Sequence, residues 1–195
     1  MEPIILASSS PQRRDILMRL NIPFQVIEPR IDETPPPTLP LIDIPAVLAQ
    51  KKVAAVRQLP EAQTTRWILG ADTVIECDGQ LLGKPRDRAQ AAAFINKIQG
   101  KTHTVRTALA LYSRQKQKTL TRTLETRVTM APLNEREINW YTGTDEWRGA
   151  AGGYRIQGYA SYFISAIDGT ESCVTGLPIS AFYAMLLEHG YPLLT

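Results

Sequence analysis

The chain begins with a βα unit, and that beginning limits the folds open to it. Ile4-Ile5-Leu6-Ala7 is a short apolar run suited to a buried strand. Ser10 then stands at an N-cap position, with Pro11 at the first helical position, where a missing N–H costs nothing. Arg13, Ile16, Leu17 and Leu20 follow at spacings of three and four, so they share one helix face. A second helix opens at Pro45, with Leu48, Ala49, Lys52, Ala55 and Val56 along one stripe. A third runs from the Asp87 cap to Ile98 and is ended by Gly100.

Phe24 to Ile27 and Trp67 to Ile75 read as strands, and Asp78-Gly79 is a hairpin turn signal. Thr104 to Tyr112 and Leu120 to Met130 pair around the polar turn from Ser113 to Lys118. Asn134 with Glu137 predicts a capped helix reaching Tyr141, Tyr162 to Ile167 a strand, and Pro178 the start of the last helix. The stretch from Pro29 to Pro40 is too rich in proline for a central strand or helix, and long loops of this kind are often functional. Mixing βα units with hairpins predicts an α/β fold: a mixed β-sheet with flanking helices.

With 195 residues the expectation is a single domain over 1–195. A hydrophobic fraction of 44% against 21% charged residues places the chain among globular proteins. Its 22 basic and 19 acidic residues leave a net charge of +3, too even to indicate polyanion binding. No aromatic-interleaved basic motif appears, so nucleic acid is not expected as a partner. Cys77 and Cys173 lack CxxC spacing, and His103 and His189 are far apart, which argues against a disulfide scaffold or a structural zinc. A hard, oxygen-bound Mg²⁺ or Mn²⁺ stays open. No apolar stretch is long enough to span a bilayer, and Met1-Glu2-Pro3 is no signal-peptide start, so a cytoplasmic location without membrane association is expected.

Several charged residues stand where packing alone would not put them. Arg13 continues an apolar stripe at a helix N-terminus, where unpaired N–H groups favour a phosphate; a capped surface helix with arginine lying along it is the plainer alternative. Lys52 interrupts the stripe of the second helix and needs an anionic partner or an escape to water. Asp72 lies inside an apolar strand, so it is paired, metal-bound or catalytic. Lys84 is held before Pro85 beyond the hairpin and can aim an ammonium at a phosphate, or simply be solvated. Three glycines between Ala150 and Gly158 permit close approach of backbone N–H groups to a ligand, though neither a P-loop nor a GxGxxG fingerprint is present. Gln157 offers the donor and acceptor that a base edge requires.

Four stretches, Ser8-Ser9-Ser10-Pro11-Gln12-Arg13-Arg14, Gly70-Ala71-Asp72-Thr73, Gly83-Lys84-Pro85-Arg86-Asp87 and Ala151-Gly152-Gly153-Tyr154-Arg155-Ile156-Gln157-Gly158, carry a resemblance in their order and spacing. With Leu48-Ala49-Gln50-Lys51-Lys52 and Gly176-Leu177-Pro178 they resemble the Maf family of nucleoside triphosphate pyrophosphatases over almost the whole chain. The resemblance implies an inosine triphosphate pyrophosphatase-like α/β fold with a central cleft, and a chain that can form a homodimer. It implies hydrolysis of a nucleoside triphosphate between the α- and β-phosphates with a divalent metal, and possible removal of non-standard nucleotides.

By motif position Asp72 matches the catalytic proton acceptor and Arg13, Lys52 and Lys84 match substrate-binding cations. Glu33 and Asp72 would hold the Mg²⁺ or Mn²⁺, and Gln12, Thr73 and Gln157 fall at specificity positions. Thr73 and Gln157 look like the subgroup acting on dTTP and UTP, whereas Gln12 departs from the arginine usual there. Lys51 replaces a common glutamate and Ala150 a common lysine. The alternatives are a pyrophosphatase for 7-methyl-GTP or another modified nucleotide, and a non-catalytic nucleotide-binding regulator of cell division.

Overall fold

The computed structural model describes residues 1–36 and 38–193. Its elements in order are β1 (Ile4–Ala7), α1 (Pro11–Arg19), β2 (Phe24–Val26), α2 (Ile44–Arg57), β3 (Trp67–Cys77), β4 (Gln80–Leu82) and α3 (Arg88–Ile98). There follow β5 (Thr102–Ser113), β6 (Lys118–Met130), α4 (Glu135–Gly143), β7 (Ile164–Asp168), α5 (Glu171–Val174) and α6 (Ile179–His189), with short 3₁₀ turns at Pro60–Ala62, Ala151–Gly153 and Tyr159–Phe163. The strands form one seven-stranded sheet in the order β2-β1-β3-β5-β6-β7, with β4 paired to β3. β1 runs parallel to β2 and β3, while β3–β4 and β6–β7 are antiparallel. The expected mixed sheet with flanking helices is what forms. Among the described residues no helix is long and apolar enough to cross a membrane.

The chain divides into two compact units. The first comprises Met1–Asp72, Thr107–Leu124 and Gly176–Thr195. Its core follows from the two-residue period of β1, whose four residues are all buried. Ile4 and Leu6 pack with Ile16, Leu17, Phe182 and Met185 of α1 and α6, whereas Ile5 and Ala7 pack with Ala49, Val53 and Val56 of α2. A strand with no polar side therefore has helices on both faces. Each such Ile or Leu contributes about 1.5–3 kcal/mol by leaving water.

The second unit comprises Thr73–Arg106 and Glu125–Thr175, and its core joins Ile75, Leu82, Ile95, Val105, Val128, Tyr141, Trp147 and Phe163. Local chemistry sets its element ends. The Asp87 side chain accepts from Gln90 N, and Asn134 and Glu137 complete a capping box on α4. Asp78 and Gly79 both take positive φ, 52° and 72°, as the tight β3–β4 turn demands.

Two local expectations are corrected. Ser10 occupies the N-cap position of α1, but its hydroxyl goes to Gln12 Oε1 at 3.0 Å and does not cap the helix. The strand expected from Tyr162 begins at Ile164, because Tyr162 and Phe163 belong to the 3₁₀ turn Tyr159–Phe163. That turn starts where the Glu146 carboxylate takes the N–H groups of Tyr159 and Ala160 at 2.7 and 3.3 Å. A carboxylate satisfying orphan donors favours a helical turn over an extended chain.

Candidate functional site

Asp72 owes its environment to the apolar strand that carries it, since Trp67, Ile68, Leu69 and Ala71 are buried beside it. Gly70 lets α2 lie against this strand: a Cβ there would stand 2.5 Å from the Ala49 carbonyl oxygen and 2.8 Å from Val53 Cγ2. On the same face of α2, one turn from Ala49, Lys52 reaches over the strand. Its Nζ donates to Asp72 Oδ1 at 2.7 Å and lies 3.1 Å from Glu33 Oε1. Lys52 and Asp72 are 5% and 6% exposed, so their ion pair is almost wholly withdrawn from water, whereas Glu33 is exposed in the proline-rich loop. Breaking a buried pair of this kind by removing one partner costs about 3–5 kcal/mol.

Arg13 is buried as its place on the apolar stripe of α1 predicts. Its Nε donates to the Gly176 carbonyl at 2.8 Å and its Nη1 to Ser8 Oγ at 2.9 Å. Burial lowers the guanidinium pKa, and the nearby charges of Asp72 and Glu33 act in the opposite sense. Arginine remains charged throughout the physiological range. Asp72 experiences the converse. Desolvation pushes its carboxyl above the ordinary 3.8, and the Lys52 ammonium and then Arg13 pull it partly back, while Glu33 raises it further. Four residues scattered over 60 positions thus form a cluster of two cations and two carboxylates within the first unit.

The two carboxylates, both in contact with one ammonium, are hard oxygen donors, and this chemistry suits Mg²⁺ or Mn²⁺. Among the described residues no group of three or more His, Cys, Asp or Glu side chains is gathered. Two carboxylates match the habit of Mg²⁺, which takes one or two from protein and completes its shell with water and substrate phosphate. Gln12 is half-buried at the start of α1, its Oε1 accepting from Ser10.

Thr73, Lys84 and Gln157 belong to the second unit. Thr73 is half-buried directly after Asp72 in β3, and Lys84 is exposed beyond β4. Gly152, at φ 68°, donates its N–H to the carbonyl of Gly83, the residue before Lys84, at 2.9 Å. A Cβ at Gly152 would meet Ile75 Cδ1 at 2.8 Å, so this glycine answers both a backbone and a space requirement. Gln157 is exposed between the buried Ile156 and the half-buried Gly158.

Three participants carry no chemical signal of their own in the sequence. Ser8 and the Gly176 carbonyl hold Arg13, and both lie inside the quoted motifs without standing out there. Glu146 looks like one more surface acid until its hydrogen bonds are traced. His103 is buried, with Nε2 2.7 Å from the Tyr154 hydroxyl, and Cys77 and Cys173 are buried and not joined in a disulfide.

The fold and this cluster define an α/β protein with a cluster of charged side chains built around a buried lysine. The chain belongs to the Maf family: it matches the family model described as Maf-like protein over residues 3–189. It is 41% identical over 194 residues to a dTTP/UTP pyrophosphatase of Pelotomaculum thermopropionicum, covering 100% of both chains. It is 39% identical to a protein of the same name from Symbiobacterium thermophilum, covering 100% of this chain and 98% of the relative. A third of that name, from Thermus thermophilus, is 38% identical, with 97% and 96% covered. A solved structure of the Staphylococcus aureus Ham1 protein aligns with 67% of this chain and 72% of its own, at 14% identity and a TM-score of 0.43.

Proposed function

We propose that this chain hydrolyses nucleoside triphosphates, dTTP and UTP first, between the α- and β-phosphates to give the monophosphate and pyrophosphate. One observation carries the reading: this chain, similar over its full length to proteins named dTTP/UTP pyrophosphatase, buries a lysine–aspartate pair beside a second carboxylate.

Asp72 accepts a proton from the attacking water as its oxygen bonds to phosphorus and the α–β bridge breaks. The raised carboxyl pKa gives Asp72 a stronger affinity for that proton than an ordinary aspartate has. Lys52 holds Asp72 Oδ1 in place and, with Arg13, offsets negative charge on the leaving pyrophosphate. Glu33 and Asp72 would hold the divalent cation, which when bound supplies charge neutralisation and polarisation at phosphate oxygens. Lys84 is assigned to phosphate, and Gln12, Thr73 and Gln157 to nucleotide discrimination. Homodimer formation and a cytoplasmic location belong to the same proposal, the first checked by light scattering of the purified chain.

The test is pyrophosphate release from dTTP, UTP, CTP, GTP and 7-methyl-GTP with Mg²⁺ or Mn²⁺, wild type beside Asp72→Asn. Preference for dTTP and UTP, lost in the variant, supports the reaction and the site. Preference for 7-methyl-GTP overturns the substrate assignment alone. Folded protein that binds nucleotides but releases no pyrophosphate overturns the catalytic reading.

A further inference from the structure

Glu146 lies in the turn between α4 and the glycine-rich segment and makes contacts that a surface acid does not. Its Oε2 accepts from Tyr159 N at 2.7 Å, and its Oε1 from Ala160 N at 3.3 Å and the Tyr141 hydroxyl at 3.2 Å. A Cβ at Gly158 would collide with the same carboxylate, so the glycine there serves close approach; its φ of −114° needs no glycine. Arg155 closes the other side, its Nε donating to the Glu146 carbonyl at 2.9 Å and its Nη2 to the Arg148 carbonyl at 2.6 Å. The turn that receives these bonds is itself anchored, because Trp147 is buried and its Nε1 donates to the Thr142 carbonyl at 2.9 Å.

Gln157 stands inside this bracket. Before it, Tyr154 and Ile156 are buried and Tyr154 bonds His103; after it, Gly158 rests on the Glu146 carboxylate. The backbone on both sides is held while the amide side chain remains exposed. Reading a base edge needs a donor and an acceptor fixed to a few tenths of an ångström, and such precision comes from the residues supporting the reader.

We propose that Glu146, together with Arg155, is a positioning residue for Gln157 and thereby sets nucleobase discrimination. The inference rests on the reading that the chain acts on dTTP and UTP with Gln157 at the base. Thymine and uracil present a carbonyl and an N–H where cytosine presents an amine and an unprotonated ring nitrogen. A rigid carboxamide separates the two patterns; a mobile one turns over and accepts either.

The experiment compares kcat and KM for dTTP and CTP in wild type, Glu146→Gln, Gln157→Ala and the double variant, with melting temperatures alongside. Glu146→Gln turns an amide N–H toward backbone donors that now meet an acceptor. The expected result is a fall of about fivefold or more in the dTTP-to-CTP ratio of kcat/KM, in line with a lost hydrogen bond, carried mainly by KM. The same fall is expected in Gln157→Ala, with no further fall in the double variant, since residues acting through one contact are not additive. An unchanged ratio in Glu146→Gln, with Gln157→Ala reduced, overturns the positioning role alone. Additive losses in the double variant also overturn it. An unchanged ratio in Gln157→Ala, or no discrimination in wild type, sinks the base-reading assignment and this inference with it. Should Glu146→Gln not fold, Arg155→Lys decides: the ratio falls as above, or the inference is wrong.

Discussion

Gly70 and Ala49 meet so closely that the strand carrying Asp72 and the helix carrying Lys52 leave no space for a side chain between them. A methyl group on Gly70 would lie 2.5 Å from the Ala49 carbonyl oxygen, a distance that real Cβ atoms do not adopt. The close approach of α2 to β3 is what allows a lysine one turn along to reach an aspartate two residues along at 2.7 Å.

Gly70→Ala should therefore push α2 outward. Overpacking at such a site destabilises by about 1–3 kcal/mol, and turnover should fall by more than the loss of folded protein explains. Urea unfolding and pyrophosphate release on the same preparation check this, and wild-type values of both would contradict the account of Gly70.

Asp72→Asn keeps the shape of the side chain but removes its proton affinity. Turnover should drop by at least ~10²-fold, the lower end for general acid–base catalysis. The measurement is saturating kcat on dTTP with folding confirmed by circular dichroism; a variant within a few-fold of wild type would falsify the role.

The acid limb of activity follows from the same carboxyl. Burial raises the Asp72 pKa above 3.8, and only the ionised form accepts a proton, so kcat/KM should fall as pH drops through a value above the ordinary carboxylate range. Lys52 acts to lower that pKa, so Lys52→Met should move the limb to still higher pH. A limb that stays in place in the variant would mean that another group controls it.

His103 gives a stability prediction away from the chemistry. Burial depresses its pKa from 6.5 to about 4. A depressed pKa means that the stability it contributes is present above pH 6.5 and is lost as pH falls through about 4, a window worth about 3 kcal/mol at most. His103→Gln keeps a polar partner for Tyr154, so its unfolding free energy should vary less across that window. Parallel curves for the two proteins would rule this source out.

Much of the fold was legible because its determinants are local. The apolar run of β1, the Asp87 cap, the Asn134–Glu137 box and the Asp78-Gly79 turn each depend on residues a few positions apart, and the chain forms them where expected. The failures at Ser10 and Tyr162 share a cause. In each a side chain chose a partner that spacing does not reveal: Gln12 for the serine hydroxyl, and Glu146 for the backbone of Tyr159.

For the site, the sequence by itself determined which residues were out of place. A lysine in an apolar helix stripe and an aspartate in an apolar strand must find partners, because an isolated buried charge is too costly to persist. Only the tertiary structure decided that they partner each other, 20 residues apart, and that Glu33 joins them from the proline-rich loop. It alone bonded Arg13 to a carbonyl 163 residues away. Such pairings depend on how strands register and how closely helices approach the sheet, and the period of a sequence reports which face a residue occupies but not what comes to meet it.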